Sequence, residues 1–79
     1  MQKQDIVIKF RRSYHQLNYV KNHLTVDKLT IWTNNWCDEN KIHDADKSYF
    51  LALARAYADK ELFEHHIRLW IKKERKKHP

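Results

Sequence analysis

The chain contains no glycine. Glycine reaches left-handed backbone conformations, and lets backbone approach a ligand, at little steric cost. Without it the standard phosphate-cradling loops, dinucleotide fingerprints and nucleophile elbows cannot be built in their usual form. Tight two-residue hairpins also draw on glycine or asparagine, which disfavours a sheet made from short turns. The single proline is the last residue, Pro79, so no proline breaks a helix inside the chain. Together these points predict an all-α fold. The expected form is a small compact bundle of three or four helices, one domain over residues 1–79, with a basic tail from about residue 72 whose end frays.

A chain of 79 residues buries only roughly 60–65% of its unfolded surface. Its core supplies a net stability on the order of 3–5 kcal/mol. An enclosed active-site cavity would consume much of that core, whereas a contact surface would not. One cysteine, Cys37, closes no intrachain disulfide and builds no cysteine zinc site. As a nucleophile it would need a base and an oxyanion hole. His43 is near in sequence, but nothing positions an oxyanion, and a thiol beside Trp36 suits a core. The chain is therefore read as non-enzymatic, with no catalytic residue, cofactor or small-molecule substrate. No apolar run approaches the roughly 20 residues that span a bilayer, and no signal-peptide core follows Met1 to Phe10. A reduced, cytoplasmic setting is expected.

Apolar spacing marks the elements. Ile6, Phe10, Tyr14, Leu17 and Leu24 recur in steps of three, four and seven, with Val20 close by and a break allowed near Ser13. Thr25 is placed to cap a second helix whose face holds Leu29, Trp32 and Trp36. Asp38, Glu39 and Asn40 read as a loop. Asp44 or Asp46 is placed to cap a third helix with Phe50, Leu53, Ala54 and Tyr57 on its face. Continuing that register would bring Glu61, Glu64 and Arg68 inside. The apolar residues fall instead at Phe63, Ile67 and Trp70, with Leu62 and Ile71 beside them. A turn capped by Asp59 is the preferred explanation, giving four helices. The alternative is one long helix, because Tyr49, Ala52, Ala56, Phe63, Ile67 and Trp70 share a register of their own.

The six histidines do not assemble a metal site by spacing. His65 and His66 are adjacent and point about 100° apart on a helix. Glu61 and His65 share a face, but two ligands do not hold zinc. No metal residue is assigned. Trp32, Trp36 and Trp70 each sit in an apolar stripe and are expected in the core.

The net charge of +6 is uneven. Residues 1–24 carry five basic and one acidic side chain, residues 25–64 five and eight, and residues 65–79 six and one. Both ends are cationic around an acidic middle, a pattern that suits a polyanion or an acidic partner. Lys9, Arg11 and Arg12 at the start, and Lys72, Lys73, Arg75, Lys76 and Lys77 at the end, are the candidate phosphate contacts. An up-down-up-down bundle of four helices would bring Lys3 and Lys9 near Lys72, Lys73 and Lys76 at one end.

Two short stretches resemble known families. Ser48-Tyr49-Phe50 and Asp59 to Phe63, within Lys47–Lys73, resemble part of the helical hairpin of bacterial sporulation inhibitors. Gln4-Asp5 followed by Lys9-Phe10-Arg11 resembles the opening of small nucleoid-modulating proteins. Each covers about a third of the chain or less, the spacings do not match through, and no functional residue carries over. Both families imply small helical regulators.

The leading expectation is a regulatory protein that binds DNA or RNA through its basic ends. The rival is a protein-interaction module, an inhibitor or adaptor, using an aromatic helix face against an acidic protein surface. Either is compatible with a homodimer.

Overall fold

A computed structural model describes residues 3–77, with side chains from 4 to 75. Three helices follow one another, and no strand forms among the described residues: α1 (Lys3–Leu17), α2 (Val26–Glu39) and α3 (Asp44–Lys77). The all-α fold is as expected. The number of helices resolves to three, because Asp44 to Lys77 is one helix of 34 residues. No turn interrupts it at Asp59. The stretch Asp59-Lys60-Glu61-Leu62 contains no strong helix breaker, so the change of apolar register needs no turn.

The connections show how a chain without glycine reverses direction. Asn18, His23 and Lys41 take the left-handed region, with φ of 52°, 53° and 57°. Asn18 follows the end of α1, so the first helix stops well short of Leu24 and passes Ser13 unbroken. At the end of α2 the Ile42 N–H donates to the Cys37 carbonyl (2.9 Å) and the Lys41 N–H to the Asp38 carbonyl (3.2 Å). This pair of hydrogen bonds is the Schellman closure normally built on glycine. The same pair recurs where Leu24 N–H meets Tyr19 O (3.1 Å) and His23 N–H meets Val20 O (3.1 Å).

Thr25 caps α2 as its position suggested, its Oγ1 accepting from the Lys28 N–H at 3.2 Å. Asp44 and Asp46 lie inside the first turn of α3 and not at its cap. There their carboxylates still favour the positive end of the helix dipole. Lys47 bridges Asp38 (2.6 Å) and Asp44 (3.1 Å), tying the end of α2 to the start of α3. Those two hydrogen bonds hold its ammonium pKa above the ordinary lysine value.

The core centres on Phe10, which is fully buried. Its ring lies 4.9 Å from Trp36, 5.1 Å from Phe50 and 5.6 Å from Trp32, each centroid to centroid. Tyr14, Tyr19, Leu29, Cys37, Ala54 and Ala58 complete the buried set. Trp36 closes it with an indole N–H donated to Ser13 Oγ at 3.2 Å. Thr33 is buried too, and its hydroxyl is satisfied by the Leu29 carbonyl at 2.8 Å.

The helices run up, down and up. Phe10 meets Phe50, Tyr14 meets Tyr57 and His15 meets Glu61, so α1 and α3 run in the same direction. At about 51 Å for 34 residues, α3 accounts for most of the 55 Å long axis of the molecule. The body ends level with Glu61 and Leu62. Past it α3 is flanked only by the α1–α2 connection, as far as Arg68.

A two-faced helix projecting from the body

The free half of α3 carries two opposed faces. Tyr49, Ala52, Ala56, Phe63, Ile67 and Trp70 form one straight row along the whole helix, about 170° around from the core-facing Phe50, Ala54 and Ala58. The row is exposed: Phe63 by 67%, Trp70 by 62%, Tyr49 by 54% and Ile67 by 43%. Trp70 was expected in the core and is not there. Its register belongs to the outer row, and α1 and α2 end before they could reach it. Trp36 is buried as expected, and Trp32 is half-buried against Phe10.

On the other side, Arg68, Lys72 and Arg75 stand at i, i+4 and i+7, all exposed. They continue the line of the core face past the end of the body. Lys72, Lys73 and Arg75, named from the sequence as candidate contacts, are exposed here; Arg68 was not among those candidates, although its spacing to Lys72 and Arg75 puts it in the same row. Arg68 also lies 4.0 Å from Glu64 one turn back. Lys73 is exposed between the two faces. The backbone stays helical through Lys77, while the side chains of Lys3, Lys76 and Lys77 lie outside the described residues.

Lys9, Arg11 and Arg12 are exposed on α1. Lys9 donates to Asn40 Oδ1 at 2.6 Å, which fixes it level with the end of α2. The basic ends of one chain therefore do not meet. His15 is level with Glu61, at 3.8 Å. Lys9 lies about 9 Å from that level in one direction, and Lys72 about 16 Å in the other. The expected joint cluster assumed an even number of helices. With three, the two groups sit at opposite ends.

Where α3 leaves the body, a hollow opens between it and the α1–α2 connection, lined by His15, Tyr19, His23, Glu61, His65 and Arg68. No three metal-ligating side chains converge among the described residues. The Tyr14 hydroxyl is buried and makes no hydrogen bond of good geometry. Burial pushes its phenol pKa above the ordinary tyrosine value, and the Glu61 carboxylate adds in the same direction. Cys37 is fully buried, and desolvation likewise raises its thiol, with the Lys47 charge working against it. Among the described residues no helix is long and apolar enough to cross a membrane.

No protein-family model, curated protein or solved structure matches the chain. What it does must be read from geometry and charge.

Proposed function

We propose that the protein is a small non-enzymatic regulator that binds nucleic acid through the basic face of the free half of α3. The observation that carries this reading is the exposed row Arg68, Lys72 and Arg75, which starts at the rim of the hollow and runs out along the projecting end of α3. Such a helix is about 10–12 Å across with its side chains, which suits a major groove about 12 Å wide. Lys73, and beyond it Lys76 and Lys77, would add phosphate contacts. Lys9, Arg11 and Arg12 on α1 form a separate, secondary group. The partner is DNA or RNA, the location cytoplasmic, and the reading needs no cofactor.

A salt titration of binding to random-sequence duplex DNA, and to RNA, tests it. Each phosphate contact contributes a log–log slope of roughly −0.9 on duplex DNA. Lys72→Glu with Arg75→Glu should flatten the slope by about 2 and leave the helical content unchanged. Absence of binding at low salt would sink the proposal.

A second reading has its own observation. Phe63, Ile67 and Trp70 are anchors at i, i+4 and i+7, the pattern with which a helix fills an apolar groove on another protein. An acidic rim on that groove would match the cations behind them. A pull-down from lysate with and without nuclease separates the two: capture lost on nuclease treatment favours nucleic acid, and capture retained favours a protein.

A further inference from the structure

We infer that the outer row of α3 is a self-complementary seam on which a second copy of this chain docks antiparallel. This does not depend on the nucleic-acid reading, because the seam and the basic face lie on different sides of the helix.

The row reads onto itself when reflected about the point between Asp59 and Lys60. Tyr49 and Trp70 are equidistant from that point, as are Ala52 and Ile67, and Ala56 and Phe63. In an antiparallel pair, two of the three large side chains of the free half therefore come level with a small one on the partner's body half, and the third meets an aromatic ring. Phe63 faces Ala56, Ile67 faces Ala52, and at each end Trp70 faces Tyr49. Large against small is how two helices interdigitate at close range. A parallel pair would set Phe63 on Phe63 and Trp70 on Trp70, with nothing opposite the alanines but alanine.

Charge selects the same direction. The start of α3 carries Asp44 and Asp46, and its end carries Lys72, Lys73 and Arg75. Antiparallel packing brings the acidic start of one copy level with the basic end of the other and opposes the two helix dipoles. Parallel packing would bring both basic ends together.

The area is sufficient. Tyr49, Phe63 and Trp70 are half to two-thirds exposed, and an aromatic side chain buries 150–250 Å², so these three offer roughly 350 Å² per chain. Ile67, Ala52, Ala56 and the half-exposed Ile8, which shares a shallow hollow with Tyr49, bring the patch to roughly 500 Å². The pair thus buries on the order of 1,000 Å², the lower limit of a specific interface. The dimer is accordingly concentration-dependent. Most of each body lies on the far side of α3, and only the edge of α1 at Ile8 flanks the seam, beside Tyr49.

Sedimentation equilibrium on the full chain tests this. The mass should rise from one chain to two with concentration. Phe63→Asp should remain a single chain throughout, with unchanged far-ultraviolet circular dichroism, because Phe63 is 67% exposed and holds nothing in the body. Direction is tested by oxidising a mixture of Ala52→Cys and Ile67→Cys chains, with Cys37 buried and silent. The antiparallel seam gives the mixed disulfide in excess of either self-pair. Three results would overturn the inference. One is a wild-type chain that stays single at every concentration. Another is a Phe63→Asp chain that pairs like wild type. The third is single chains that adhere to anionic lipid vesicles through Phe63, which would assign the row to a lipid surface.

Discussion

Tyr14 is the residue at odds with its surroundings. Its ring packs 5.3 Å from Tyr57, centroid to centroid, while its hydroxyl is buried and makes no hydrogen bond of good geometry. An unsatisfied buried hydroxyl costs on the order of 1–3 kcal/mol, so Tyr14→Phe should leave the fold as stable or more so. The phenol also predicts a pH dependence. Its folded pKa is raised, so the folded state keeps a proton that the unfolded chain loses near pH 10. The stabilising difference is complete below the unfolded pKa and declines as pH climbs through the folded one. The slope is at most about 1.4 kcal/mol per pH unit. Urea unfolding in alkaline buffers should show that decline in wild type and a weaker one in Tyr14→Phe. Equal slopes in the two proteins would refute the assignment to Tyr14.

At the scale of the element, the two reversals rest on three left-handed residues that are not glycine. Asparagine tolerates that region, but for lysine and histidine it costs roughly 1–2 kcal/mol. Lys41 is exposed and contributes only backbone to its closure. Lys41→Gly should therefore raise the urea midpoint, with a gain of about 1 kcal/mol or less once the extra freedom of glycine in the unfolded chain is subtracted. A lowered midpoint would show that the lysine side chain matters there. These elements were partly legible in the sequence. The Thr25 cap and the core faces of Phe10, Tyr14, Trp36, Phe50 and Ala54 followed from local spacing, because capping and burial leave a mark on each helix separately. The continuity of α3 did not. A register shift between Tyr57 and Phe63 looks the same whether the chain turns or the neighbouring helices end. The lengths of α1 and α2 decide between the two, and that is tertiary information. The same ambiguity hid Arg68 and sent Trp70 to the wrong environment.

At the scale of the molecule, the packed core of a three-helix body ends near Leu62, and one helix goes on to Lys77 past the hollow at its base. Glu64→Pro should uncouple the two parts, because proline removes the bond to Lys60 and clashes with that carbonyl at about 3 kcal/mol or more. Circular dichroism should lose the helical signal of the last turns while the thermal transition of the body stays near its wild-type position. A body that melts along with them would mean the two halves fold as one unit. The continuity of the backbone has a further consequence, in kinetics. A segment of about fifteen residues, released into water, must first meet the entropic penalty of forming an initial turn, and few such peptides remain helical. Here that turn is already wound within the packed core, so each later residue only propagates it. Whatever meets Trp70 encounters a ready-made rod and spends little of its association energy on ordering it. The three-helix body thus acts as a nucleus for a helical extension that would not sustain itself alone.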